Sequence, residues 1–521
     1  MVIEDQREIV EFLSTPSAYD AQVSDVERID THSAIVFLAG ECAYKLKRAV
    51  RYDYLDFSTL ERRRAACEAE VVVNRRSAPQ LYLGVVPVTR EAAGGLALGG
   101  SGTPVDWLVR MVRFNQSALL DRLAASHALD IELMPALARA ISDLHAVANP
   151  RKDQGGRDGI AWVIEGNAEA FAEFAGSVFE PEACGRVNAL ARAEAERHGE
   201  LLDGRRRQGF VRECHGDLHL RNIVLLDGRP TLFDAVEFND RISCVDVLYD
   251  FAFLLMDLWR LRLHAHANLL FNAYLAGTDA LAALSLVPLF LSCRSAVRAK
   301  TNATAAKLEP DLTRRAALEA TAREYLVGAE MYLHPRPPRL VAIGGLPGSG
   351  KSVLARRVAP SVGAAPGAVV LRSDVIRKSL FGVPAATRLG AEGYTQTVTD
   401  SVYRQLGERA AVAIRAGQAV ILDAVFGRPE QRAGAEEVAR SARVPFTGLW
   451  LDAPTPVLMD RIEARTRQRT ADPSDASVDV LRARLTDDVG PVEWDRIDAS
   501  GGLDAVQRRA DRLLARSATA P

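Results

Sequence analysis

The run His215-x-Asp217-x-x-x-x-Asn222 puts a carboxylate and an amide at opposite ends of one short loop. In phosphoryl transfer such a carboxylate orients and deprotonates an acceptor hydroxyl, and such an amide oxygen holds magnesium beside the phosphates. Asp234 follows beyond an apolar stretch, placed to ligate the metal that bridges the ATP phosphates. A second set lies in the last third of the chain. Gly345-Leu346-Pro347-Gly348-Ser349-Gly350-Lys351-Ser352 satisfies GxxxxGKS, the Walker A pattern, after an apolar run and before a helical one. Its backbone N–H groups around Gly348, Ser349 and Gly350 cradle phosphates, Lys351 reaches the transferred phosphoryl group, and Ser352 holds magnesium. Two ATP-dependent catalytic units are therefore expected, each using Mg2+.

Around the second motif, Arg372-Ser373-Asp374-x-x-Arg377 offers a strand-end base, Asp374, with Arg377 three positions on along the same helical face to orient an acceptor or bind its phosphate. The plain alternative is a helix-capping aspartate beside a surface arginine. Asp423, ending an apolar run, is a Walker B-like carboxylate for magnesium, with Asp452 as the weaker choice. The cationic stretch from Arg461 to Arg469 runs into a proline-containing segment. Arg465 and Arg469 share a helical face and would stabilise charge on the transferring phosphoryl group, against the alternative of a solvated charged face. Tyr394 and Arg404 are candidates for lining the acceptor pocket. This half resembles the polynucleotide kinase, zeta-toxin and chloramphenicol phosphotransferase branch of small P-loop kinases.

The first half reads as a sheet-rich lobe followed by helices. Ser33 to Leu38, Ala43 to Leu46, Leu81 to Val88 and Val105 to Val112 have strand character, and Leu60 to Asn74 is helical. Gly94 to Gly102 reads as a turn, and Asp227-Gly228 as the turn of a hairpin over 222 to 238. With His215-Gly216-Asp217, Asn222 and Phe233-Asp234, residues 30 to 330 resemble the aminoglycoside phosphotransferase family, whose fold is shared with choline kinases and protein kinases. The resemblance implies that Ala43-Tyr44-Lys45 supplies a phosphate-contacting lysine, Lys45, although Lys47 shares its strand face. It implies an orienting carboxylate, Glu70, with Glu68 as rival, and places Met111 near the adenine-binding connection between lobes. Ala235 stands where protein kinases carry glycine, which favours a small-molecule acceptor. His215 is read as a brace, and His219 as a substrate contact or loop filler. Asp246 and Asp250 are read as anchors. Glu237 and Asp240 are reserve metal or substrate candidates, with a solvated turn as the plainer role.

At 521 residues and 48% hydrophobic, the chain exceeds one ordinary domain. Leu333-His-Pro-Arg-Pro-Pro-Arg339 is the expected linker, separating a first domain (1–332) from a P-loop domain (340–521). The fold class is an α+β protein-kinase-like bilobal domain followed by an α/β P-loop NTPase domain with a parallel sheet. A net charge of −2 gives no bulk attraction to nucleic acid or anionic membrane. Six cysteines without a CxxC pair read as reduced and structural. A cytoplasmic location and no membrane partner are expected, because the N-terminus lacks a secretory pattern and the apolar runs are short or broken by charge. The expected activity is transfer of the ATP γ-phosphoryl group to small hydroxylated acceptors. The alternatives are a nucleotide-controlled regulatory module with one site acting as a sensor, and a polynucleotide 5′-hydroxyl kinase in the second domain.

Overall fold

The computed structural model describes residues 4–52, 54–468, 474–486 and 489–516. Contacts group the chain into two compact units, Met1–Asp257 with Cys293–Arg323, and Leu258–Ser292 with Glu324–Pro521.

The first unit carries a six-stranded antiparallel sheet. Its strands are β1 (Val26–Asp30), β2 (Ala34–Ala39), β3 (Cys42–Lys47), β4 (Tyr82–Arg90), β5 (Leu96–Leu98) and β6 (Thr103–Val112), in the order β1-β2-β3-β6-β4-β5. Alternation along β3 sends Tyr44 and Leu46 into one core with Phe37 and Leu108. Ala43 packs into another with Val109 and Met111, and Lys45 and Lys47 share its side of the strand. Helix α1 (Leu60–Asn74) begins at Thr59, whose hydroxyl accepts from Arg62 N as an N-cap. Its buried positions Cys67, Glu70, Val71 and Asn74 fall at helical spacing and form one face. The stretch read as a glycine-rich turn contains β5, which pairs Leu96–Leu98 with Val88–Arg90. The hairpin is formed by β7 (Ile223–Leu226) and β8 (Arg229–Leu232), with Asp227 and Gly228 both at positive φ as a tight turn demands.

The second unit is built on a five-stranded parallel sheet. Strands β9 (Leu340–Gly345), β10 (Val369–Arg372), β11 (Val420–Asp423), β12 (Phe446–Asp452) and β13 (Asp495–Asp498) follow the order β10-β11-β9-β12-β13. The order reverses around β9, so the crevice at the C-terminal ends of β9 and its neighbours is the place for a ligand. Edge strand β10 is covered by the helix His264–Ala276 of the same unit. Val370 N donates to Asn272 Oδ1 at 2.7 Å, and the Asn268 amide donates to the Pro366 and Ala368 carbonyls at 3.0 Å. Two asparagines thus satisfy an otherwise open strand edge.

The ring of Trp494 lies across β12. A Cβ at Gly448 would sit 2.3 Å from its Cγ, and the ring is held by Phe426 at 5.1 Å and by its Nε1 donating to Glu436 at 2.7 Å. Gly448→Ala is therefore expected to destabilise the second unit by about 1–3 kcal/mol through overpacking. A lowered urea midpoint checks this, and an unchanged one contradicts it.

The segment Leu281–Leu308 has the length and composition of a membrane span at a mean hydropathy of 1.4, and 72% of that window is buried. Core helices of this kind pass the same test. All six cysteines are unpaired, and five are buried.

Candidate active sites of the two units

In the first unit β3, α1 and the segment after β8 converge on a charged cluster. Lys45 Nζ lies 2.8 Å from Glu70 Oε1 and 2.5 Å from Asp234 Oδ1. Lys47 Nζ lies 2.6 Å from Glu70 Oε2 and 2.5 Å from Glu237 Oε1. Both lysines therefore reach the same carboxylate, which is wholly buried. Burial alone would raise the Glu70 carboxyl, but Lys45 and Lys47 outweigh it and hold the group well below its usual range. Glu68, the rival, is exposed and pairs with Arg64 instead. Glu237 is no solvated turn residue: its side chain is 4% exposed against Lys47, because a second buried ammonium needs its own counter-charge. Asp240 does face solvent, paired with Arg151.

Asp234 stands at φ 62°, a left-handed conformation that aspartate tolerates, and its N–H donates to Tyr82 Oη at 3.0 Å. One residue on, Asn74 Oδ1 accepts from Ala235 N at 2.8 Å, tying α1 to this segment. The loop His215–Asn222 is fixed from beneath. Asp250 accepts from Gly216 N at 2.8 Å and His215 N at 3.3 Å, and His215 Nε2 meets the Phe233 carbonyl at 2.9 Å. Asp246 forms a bidentate pair with Arg205 at 2.6 and 2.8 Å. Above this base, Asp217 keeps 40% of its side chain exposed and lies 3.2 Å from His219 Nε2. Its crowded setting opposes ionisation, but His219, Arg298 and His215 outweigh that and hold the carboxyl far below its ordinary value. Asn222 Nδ2 donates to the Asp217 carbonyl and carboxylate at 3.0 and 3.1 Å. This leaves Asn222 Oδ1 and the half-open Asp234 carboxylate as an oxygen donor set suited to magnesium. Met111 is buried opposite Ala43, near the end of β6.

In the second unit the glycine loop joins β9 to the helix α2 (Lys351–Val358). Gly348 sits at φ +83°, and a Cβ there would lie 2.6 Å from the Leu458 carbonyl, so the chain needs glycine on both counts. Gly350 caps the helix at φ +94° beside open space, and the buried Ser349 hydroxyl has no partner among the described residues. Open space at a helix N-terminus beside an unsatisfied hydroxyl fits a phosphate. Gly345 ends β9 at φ +139°. Lys351 Nζ folds back onto the Leu346 carbonyl at 3.0 Å, and burial, with help from Arg465 and Arg372, lowers its pKa.

Ser352 and Asp423 face a common cation. Arg372 Nε donates to Asp423 Oδ2 and Arg372 Nη2 to Ser352 Oγ, each at 3.1 Å. A guanidinium standing between these oxygens shows that they fit a positively charged group. Asp374 lies in the first turn of the helix α3 (Ser373–Leu380). Burial and the neighbouring Asp423 push its carboxyl up, against Arg372, Lys351 and Arg377. Arg377 is buried, donates to the Gly393 carbonyl at 2.7 Å and lies over the Tyr394 ring at 4.8 Å. Tyr394 Oη in turn donates to Asp475 at 2.5 Å, which also pairs with Lys378. Arg465 donates to the Ala476 carbonyl at 2.7 Å; Arg469 lies outside the described residues. Two candidates are engaged in ion pairs of their own. Asp452 is exposed and paired with Arg496, and Arg404 is spent on Glu408 one turn along its helix.

Sequence reasoning missed the Lys47–Glu237 pair, Arg372 and Asp475. Arg372 had the only local signal, standing at a strand end two residues before Asp374.

Comparison with known proteins bears on both units. The model of the phosphotransferase enzyme family matches residues 55–284, and that of an AAA domain matches 340–487. An uncharacterized protein of Mycobacterium tuberculosis strain H37Rv is 30% identical over 489 residues, 91% of this chain and 92% of that one. A gluconokinase structure from Sinorhizobium meliloti 1021 covers 35% of this chain and 95% of its own, at 23% identity and a TM-score of 0.26. A choline/ethanolamine kinase family protein from Mesorhizobium loti covers 62% and 99%, at 13% identity and a TM-score of 0.35.

Proposed function

We propose, from the premise that this chain belongs to the same family as the mycobacterial protein and joins a phosphotransferase-family domain to a P-loop kinase-like domain, that both units transfer the ATP γ-phosphoryl group to hydroxyls of small-molecule acceptors. The observation that carries this reading is Lys45 held between Glu70 and Asp234, the arrangement expected of a phosphate-binding lysine with one orienting and one metal-binding carboxylate. The second unit supports it with a glycine loop, a lysine and a strand-end acid.

In the first unit Lys45, steadied by Glu70, holds the ATP phosphates, and Asn222 Oδ1 with Asp234 would hold Mg2+. Asp217 accepts the acceptor hydroxyl and aims its oxygen at the γ-phosphorus. The new oxygen–phosphorus bond forms as the bond to the ADP oxygen breaks, and the hydroxyl proton passes to Asp217. In the second unit the amides of Gly348 to Lys351 bind the phosphates, Ser352 and Asp423 would hold Mg2+, and Asp374 takes the proton. Arg377 orients the acceptor, and Arg465 meets charge at the transferring group. Bound Mg2+ neutralises phosphate charge in each unit. Unpaired cysteines accord with a reducing, cytoplasmic setting.

The two bases differ in acidity, with Asp217 held low and Asp374 pushed up. Each must be deprotonated to act, so the acid-side loss of activity is expected at higher pH for the second unit than for the first. Rate–pH profiles of single-site variants check this order, and coincident limbs contradict it. Nucleotide occupancy tests the wider reading. Equilibrium dialysis with a non-hydrolysable ATP analogue and Mg2+ should find two molecules per chain, falling to one in Lys351→Ala; one site in the unaltered protein would remove a kinase unit.

A further inference from the structure

We propose that Arg372 is a built-in cation of the second unit's metal site, holding the Ser352 hydroxyl and the Asp423 carboxylate until a divalent cation takes the same two oxygens from it. The inference rests on the reading of those oxygens as metal ligands and goes beyond it by giving Arg372 a role.

Arg372 ends β10 directly across from Asp423, which ends β11. Ser352 lies in the first turn of the helix that follows the glycine loop. Three separate segments therefore bring an arginine, a carboxylate and a hydroxyl together. The guanidinium spans the gap through two different nitrogens, at 3.1 Å to each oxygen. Its planar fork suits this bridging, which a lysine ammonium on a flexible stem does not reproduce. The Asp423 side chain is 5% exposed and that of Arg372 is 18% exposed. Without Arg372, this carboxylate would be left buried beside Asp374 with Lys351 as its nearby counter-charge, a costly arrangement in a site that must fold before it binds.

Magnesium demands oxygen ligands at about 2.0–2.1 Å in near-octahedral geometry. The guanidinium occupies the space between these two oxygens and repels any cation arriving there. Arginine and metal thus exclude one another. Arg372 is a positioning residue, keeping the ligand oxygens converged while the metal is away.

The test is Mn2+ titration of the full chain with ADP, followed by electron paramagnetic resonance. The site of interest is the class of bound Mn2+ that Asp423→Asn removes. Arg372→Gln is expected to tighten that class about threefold to tenfold, since the competing charge is gone. The same variant should melt earlier in EDTA than the unaltered protein and gain more from Mn2+. Arg372→Lys, which keeps the charge but not the fork, should bind Mn2+ with intermediate affinity, and gives a second readout if the glutamine variant folds poorly. Unchanged or weakened Mn2+ binding in the arginine variants overturns the proposal. If Asp423→Asn and Ser352→Ala both leave every Mn2+ class intact, it is the metal-ligand reading itself that fails.

Discussion

Asparagine in place of Asp374 is expected to cut phosphoryl transfer by the second unit about 100-fold to 10,000-fold, the range that a positioned general base contributes. The carboxyl is pushed up by burial and by Asp423, which makes it a better proton acceptor than an ordinary aspartate. Asparagine keeps the shape and the helix position but cannot take the proton. Nucleotide binding should survive, because the glycine loop and Lys351 come from a different segment. Single-turnover transfer and nucleotide affinity, measured on the same preparation, separate the two effects. Lost transfer with retained binding is the expected pair of results, whereas an unchanged rate would reassign Asp374 to helix capping.

Glu70→Gln is expected to destabilise the first unit by about 3–5 kcal/mol, the cost of removing one partner from a buried charge cluster. Glu70 is the shared carboxylate of Lys45 and Lys47 at 2.8 and 2.6 Å. With glutamine there, the carboxylate partners left among the described residues are Asp234 for Lys45 and Glu237 for Lys47. The pH dependence has a definite sign. The folded-state pKa of Glu70 lies below its unfolded value, so its stabilisation is complete above the ordinary glutamate pKa of about 4.3 and is lost as pH falls through the acid range. The stability gap between the unaltered protein and the variant should therefore be widest near neutrality and close on acidification. Hydrogen exchange of the Leu60–Asn74 helix reads this unit separately from the other. A gap that stays constant with pH would show that packing, rather than charge, sets the cost.

Local chemistry made much of this legible in the sequence. The Asp227-Gly228 hairpin, the helix over Leu60–Asn74 and the glycine loop each carry their signal within a few residues. Strand β13 carries no such signal, because only Ile497 of its four residues is buried and no apolar run marks it. Strand β5 was hidden by the glycines on either side of it. Pairings between distant segments are a different matter. Nothing near Lys47 indicates Glu237, and nothing near Ser352 indicates Arg372, because each pair is created by strand register and helix placement. The helix His264–Ala276 shows the same limit at the level of packing. The helix is largely buried, and the hydrogen bonds of Asn268 and Asn272 to the edge of the parallel sheet reveal which core it joins.

The claim that two separate phosphotransferase centres share one chain is tested most directly by following γ-labelled ATP, with Mg2+, into a fractionated pool of cellular metabolites. The unaltered protein, Asp217→Asn and Asp374→Asn would be compared side by side. The account predicts labelled small-molecule products of two classes, one lost with each substitution. No labelled product in any sample, with nucleotide binding intact, or one product lost equally in both variants, would contradict it.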